Sequence, residues 1–224
     1  MGEIAAKIKE LTAEIPAHIT LVAVSKTKPN SDILEAYEVG QRVFGENKVQ
    51  DMAAKAEALP QDIQWHFIGH LQTNKVKYIA SFVSLIHAAD SLKLLKEINK
   101  QAVKYQRNIS CLLQFHIASE ETKFGLDIDE AEEILNSPSF AELKNITIAG
   151  VMGMASNTPD QEQVKKEFAN LKAIFSVLQE KYFNTSDDFR VISMGMSGDY
   201  KLAIEQGSTM IRIGSSIFGA RHYS

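Results

Sequence analysis

Cysteine occurs once in 224 residues, as Cys111, so no intramolecular disulfide can form. A lone thiol inside an apolar run fits a reducing compartment and reads as an inert core side chain rather than a nucleophile. No apolar run approaches the roughly 20 residues needed to span a bilayer, which argues against a transmembrane helix. Residues 1–15 carry Ile4, Ile8, Leu11 and Ile15 at helical spacing, interrupted by Lys7, Lys9 and Glu10. That pattern is an amphipathic helix, not a signal peptide, and the expected location is the cytoplasm. Excess positive charge is missing too. With 24 Lys and Arg against 28 Asp and Glu, the net charge is -4, which argues against a nucleic-acid partner. Lys93, Lys96, Lys100 and Lys104 are spaced as a solvated helix face.

Several motifs are absent as well. The stretch after the first strand, Ser25-Lys26-Thr27-Lys28-Pro29, cannot serve as a glycine-rich dinucleotide loop. Met194-Gly195-Met196-Ser197-Gly198 lacks the glycine two residues before the serine that a hydrolase elbow needs. His66 and His70 flank a strand and do not form a helical ligand pair. His87 and His116 lie near the ends of strands 4 and 5, and no His/Asp/Glu spacing predicts a metal site.

What is present is alternation. Short apolar runs predict strands at Leu21–Val24, Val43–Phe44, Trp65–Ile68, Val83–Ile86, Ile109–Ile117, Ile146–Met154, Phe189–Met194 and Met210–Ile213. Helical stretches with recognisable starts lie between them. Thr158-Pro159-Asp160-Gln161 reads as a capping box with proline at the first helical position, ahead of a Val164, Phe168, Leu171, Phe175, Leu178 stripe. Asp127 with Glu130 repeats that logic, and Ser91 is placed to cap a helix carrying Leu92, Leu95 and Ile98. Eight such pairs with no linker predict a single α/β domain over residues 1–224, a (β/α)8 TIM barrel with an extra N-terminal helix. A doubly wound open sheet is the alternative, disfavoured by the missing glycine-rich turn.

A barrel gathers the residues after every strand at one rim. Lys26 follows the first strand, where partial burial would lower its pKa and make it a usable amine for a Schiff base. The plainer reading is a lysine snorkelling to solvent, and position alone does not choose between them. Gly45-Glu46-Asn47 follows strand 2. Strand 6 ends in Gly150-Val151-Met152-Gly153-Met154, whose glycines would leave room for a flat ligand. Loops after strands 7 and 8 are where many barrels bind phosphate. Ser197-Gly198-Asp199, ahead of a predicted helix over 200–206, and Gly214-Ser215 both offer hydroxyls and amides there. Singly, each is also an ordinary cap or turn. Arg212 alternates with Ile211 and Ile213, so its guanidinium should point into the mouth among apolar neighbours. It needs a partner there, either a ligand or a barrel carboxylate such as Glu46.

Six segments carry a resemblance to a known family: AVSKTKP (23–29), FGENKVQD (44–51), WHFIGHLQTNK (65–75), KFGL (123–126), SMGMSGDY (193–200) and IRIGSSIFG (211–219). The chain resembles the pyridoxal phosphate homeostasis proteins, which look like the isolated N-terminal barrel of alanine racemase. The resemblance implies pyridoxal 5'-phosphate as ligand, with Lys26 as its Schiff-base lysine. It implies Ser197, Gly214 and Ser215 at the phosphate, Arg212 at the pyridine nitrogen, Asn47 beside the cofactor, and His66 and Met154 lining the ring pocket. Ser215 stands where threonine is usual, which keeps a hydroxyl, and Phe115-His116 where Val-Asn is common.

Three functions fit these residues: a cofactor-handling protein without turnover, an amino-acid racemase, and a sugar-phosphate lyase working through a lysine. A racemase needs an acid/base group on each face of the α-carbon. The second would come from another domain, for which the residues after Ser215 are too few, and Tyr223 is the remaining substitute. A lyase lysine would sit on a later strand by family analogy. The expectation is therefore a non-catalytic homeostasis protein, a monomer without metal, with apo PLP-dependent enzymes as candidate recipients.

Overall fold

A computed structural model describes residues 2–119 and 124–219 of the chain. Its eight strands are all parallel, each pairs with the next in sequence, and the last returns to the first, closing a barrel. They are β1 (Thr20–Val24), β2 (Val43–Glu46), β3 (Gln64–Phe67) and β4 (Leu85–Ala89), followed by β5 (Ile109–His116), β6 (Ile146–Met154), β7 (Val191–Met196) and β8 (Met210–Ile213). Helix α1 (Glu3–Glu14) precedes the barrel. Helices α2 (Asn30–Glu38), α3 (Val49–Ala58) and α4 (Leu92–Lys104) follow β1, β2 and β4, and a 3-10 helix (Thr73–Tyr78) follows β3. Next come α5 (Ile128–Asn136) and the short α6 (Pro138–Ala141), then α7 (Gln161–Tyr182), α8 (Tyr200–Glu205) and α9 (Ser215–Phe218). The predicted (β/α)8 barrel with its extra N-terminal helix is the fold observed. No helix among the described residues is long and apolar enough to cross a membrane.

Pleat decides what lies inside. Val22, Leu85, Leu112, Ala149, Met152 and Met210 form a separate small cluster that fills the lower barrel. Residues of the opposite phase, such as Ala23, Phe44, Ile86 and Ile211, join the larger core between strands and helices. Burial on both faces is why these strands read as nearly continuous apolar runs.

Six of the eight expected strand ranges move by one to three residues at an end, and in two of them, β4 and β7, the start moves for an identifiable physical reason. β4 begins at Leu85 and runs through His87 to Ala89, because its interior positions include a buried histidine that no apolar run announces. β7 begins at Val191. Phe189 owes its burial to stacking against Phe175 and Phe183, with ring centroids 4.9 and 4.2 Å away, and not to the sheet. The α7 start is also corrected. Asp160 is the cap, accepting from the amides of Glu162 and Gln163, while Thr158 accepts from the amide of Asp160 itself. A carboxylate directly before the first helical residue outcompetes a hydroxyl two residues further away. The Asp127–Glu130 capping box and the Ser91 cap form as expected.

Candidate functional site

Lys26 lies two residues beyond β1, at the corner of a turn closed by the Lys28 amide donating to the Ser25 carbonyl at 3.0 Å. Thr27 adopts φ of 65°, a left-handed conformation that costs a β-branched residue about 1–3 kcal/mol. The surrounding bonds hold that strain in place. The Ser25 carbonyl also accepts from Lys55 Nζ at 2.8 Å, and the Ser25 hydroxyl donates to Glu46 Oε1 at 2.6 Å. Lys55 pairs with the same Glu46 oxygen at 2.6 Å. Glu46 is fully buried, and burial raises its carboxyl above the ordinary range despite the opposing charge and hydrogen bond of Lys55. Its Oε2 has no partner among the described residues. The turn that carries Lys26 is thus fastened from behind by a buried ion pair.

The ends of β7 and β8 meet beside this turn. The Gly214 amide donates to Ser197 Oγ at 3.2 Å, which joins the two loops. A side chain on Gly214 would reach to 3.3 Å from Val24 Cβ and from the Val24 carbonyl oxygen, a tight contact that glycine avoids where β8 passes the end of β1. The first bonds inside the next turn run from Ile217 and Phe218 to the Gly214 carbonyl. The amides of Ser215 and Ser216 precede those bonds and point past the end of the turn. Lys28 Nζ donates to the Phe218 carbonyl at 2.6 Å, tying this turn to the Lys26 loop. Ser197 does not cap α8, as its position could have suggested. Asp199 Oδ1 accepts from the Met196 amide, at 2.5 Å.

Arg212 lies deeper, 4% exposed, in register with Val22. Beside its apolar strand partners Val22 and Met196, the guanidinium finds polar ones. Nη1 donates to Ser193 Oγ at 2.6 Å and Nη2 to the Gly153 carbonyl at 3.0 Å. Burial lowers its pKa to about 10, against the support of Asp199, so it stays cationic at neutral pH. Glu46 is not its partner, because that side chain faces the helices on the outside of β2. His66 sits at the same interior level, its Nδ1 at 3.0 Å from His87 Nε2, and His87 Nδ1 lies 3.0 Å from Ser193 Oγ.

Asn47 and Met154 stand on the rim, both exposed, Met154 in register with His116. Asn47 is positioned by Gly69, where a Cβ would come within 2.5 Å of the Asn47 carbonyl oxygen. The strand 6 glycines do not open space for a ligand. A Cβ on Gly150 would strike Val191 of β7, and one on Gly153 would strike Ile117 and Leu171 outside the barrel. They serve close packing between elements. Tyr223 and Lys123 lie outside the described residues. Sequence reasoning missed Ser193, His87 and Lys55. Ser193 falls inside a quoted motif, but Lys55 looks like any helical lysine, and no pattern marks it as buried.

The chain matches the family described as alanine racemase, N-terminal domain, over residues 1–222. It is 38% identical to the pyridoxal phosphate homeostasis protein of Vibrio alginolyticus, all of both chains being covered. It is 40% identical to the protein of that name from Aquifex aeolicus, over 91% of this chain and 87% of the other. Among solved structures, PipY of Synechococcus elongatus without PLP superposes with a TM-score of 0.89 at 33% identity, covering 96% of this chain and all of the other. PipY with PLP bound gives 0.86 over the same shares. Alanine racemase of Bartonella henselae shares the fold, at a TM-score of 0.74 and 16% identity, with 99% of this chain covering 63% of that one.

Proposed function

The chain belongs to the alanine racemase N-terminal domain family, as one of its pyridoxal phosphate homeostasis proteins, and on that premise we propose that it binds pyridoxal 5'-phosphate (PLP) at the barrel mouth without turning over a substrate. The observation that carries this reading is the approach of Gly214 to Val24. It sets a cradle of hydroxyls and unbonded amides next to the loop bearing a lysine. A phosphate dianion calls for such donors; Ser197 and Ser215 would offer hydroxyls, and the turn that Gly214 opens would offer the amides of Ser215 and Ser216. PLP brings an aldehyde that condenses with an amine, and Lys26 is the amine assigned here. Arg212, which can only donate, would address the pyridine nitrogen and hold it unprotonated. Asn47 and Met154 would flank the ring at the rim, with His66 beneath it.

Absence of turnover belongs to the proposal. Support comes from relatives near 40% identity that are named for homeostasis, whereas the racemase match stands at 16% and fixes the fold alone. This reading places the protein in the cytoplasm as a monomer, with apo PLP-dependent enzymes as recipients. The test is the absorption spectrum of protein incubated with PLP, before and after borohydride reduction, for wild type and Lys26→Ala. Reduction should fix the label on the peptide containing Lys26, and Lys26→Ala should keep only phosphate-anchored, non-covalent binding. No covalent label on the wild type would overturn the assignment. Racemisation of an amino-acid panel by the loaded wild type would return the racemase reading.

A further inference from the structure

A single file of hydrogen bonds crosses the barrel interior beneath the mouth. It runs from His66 on β3 to His87 on β4, on to Ser193 on β7, and ends at Arg212 on β8. All four residues are 5% exposed or less. Neither His87 nor Ser193 has a place in the binding chemistry above. Interior polar groups are costly unless every donor is matched, so the file asks for a reason.

The chemistry of the groups fixes its direction. Arg212 can only donate, so Ser193 Oγ accepts from it at 2.6 Å. The hydroxyl has one proton to give, and its other partner among the described residues is His87 Nδ1. Giving it there makes His87 the Nε2–H tautomer, whose N–H donates to His66 Nδ1. His66 then carries its own proton on Nε2. The opposite direction would strand the Ser193 proton without an acceptor. Both rings are neutral: burial holds His66 down to about 3, and burial, with the added influence of His66 and Arg212, holds His87 well below the ordinary value. A guanidinium held at Nη1 by this file and at Nη2 by the Gly153 carbonyl has one orientation left.

We propose that His87 and His66 are positioning residues that act through Ser193 to aim the Arg212 guanidinium at the pyridine nitrogen of the bound cofactor. This role rests on the assignment of Arg212 to that nitrogen. Nitrogen-detected histidine NMR on the cofactor-free protein reads the file directly. Both rings should be Nε2–H tautomers, Ser193→Ala should shift the His87 Nδ1 signal, and Ser193→Thr should restore it. An Nδ1–H tautomer for His87, or a signal indifferent to Ser193→Ala, would overturn the inference whatever PLP does. With PLP labelled at its ring nitrogen, the wild-type signal should be that of an unprotonated pyridine. Ser193→Ala and His87→Leu should each move it towards the protonated form and release PLP about threefold to tenfold faster, in keeping with one weakened charge-assisted bond. The double variant should go no further than either single one, since the effect travels through one path. Additive effects, or an unmoved ring nitrogen, would reduce the file to core structure. If His87→Leu does not fold, the two Ser193 variants carry the comparison. A wild type that binds no PLP would defeat the cofactor assignment and this role together, with the tautomers still recorded separately.

Discussion

Removing Lys55 should damage the protein in a pH-dependent way that its surface-like sequence position does not foretell. Lys55→Met deletes two short bonds, to Glu46 Oε1 at 2.6 Å and to the Ser25 carbonyl at 2.8 Å. It leaves a fully buried carboxylate with the Ser25 hydroxyl as its one remaining donor among the described residues and Oε2 still unpartnered there. Stripping one member from a buried pair costs about 3–5 kcal/mol, and protonation of Glu46 would hold the loss near the lower end. The sign follows from linkage. The folded pKa of Glu46 is already raised by burial, and loss of Lys55 removes the main influences that lower it, leaving only the Ser25 hydrogen bond. A raised folded pKa contributes stability that is complete below the unfolded value, about 4.3, and is lost as pH rises through the folded value. The penalty should therefore be small near pH 4 and close to about 3 kcal/mol at pH 7.5. Urea unfolding followed by Trp65, the lone tryptophan and 3% exposed, measures both. Adding Glu46→Gln to Lys55→Met should recover much of the loss at pH 7.5. A penalty under about 1 kcal/mol there, or one equal at both pH values, would refute the buried-pair account.

Three further outcomes are expected. Thr27→Asn should stabilise the protein by about 0.5–1 kcal/mol, because asparagine tolerates the left-handed φ of 65° that threonine resists; thermal unfolding reads the gain. Gly69→Ala should cost about 1–3 kcal/mol and weaken PLP retention in equilibrium dialysis, since its Cβ would press to 2.5 Å from the Asn47 carbonyl oxygen and push that rim residue aside. Cys111, whose thiol burial pushes up to about 12, should resist a thiol-specific chromogenic reagent at pH 8 until denaturant is added.

The barrel was legible because parallel strands buried on both faces leave apolar runs, and eight of them alternate with amphipathic stretches. The two strand starts that slipped furthest, those of β4 and β7, are ones where burial came from another source. Phe189 is buried by aromatic stacking on α7, and β4 hides its length behind a histidine. At the site, loop residues with distinctive chemistry stood out at once: Lys26 before a proline-terminated turn, and Ser197, Gly214 and Ser215 in adjacent loops. Their packing was less visible. The glycines of strand 6 looked like ligand space and are contact points for β7 and α7, because sequence marks where a side chain is missing but not what fills the gap.

Glu46 and Arg212 show the deeper limit. Both are charged residues on short strands, and pairing them across the barrel was the structural alternative to a ligand partner for Arg212. Strand pleat sends them to opposite faces, Glu46 outward to Lys55 on α3 and Arg212 inward to Ser193 on β7. In a strand of four residues the alternation is too brief to announce its phase, and a slip of one residue exchanges interior for exterior. Only closure of the barrel settles it, by setting Val22 beside Arg212 and Gly45 beside His66. Two buried polar systems result from that phase. One fastens the lysine-bearing turn from outside the barrel, and the other orients a guanidinium inside it. The turn that presents Lys26 depends on the first for its geometry, and Arg212 on the second.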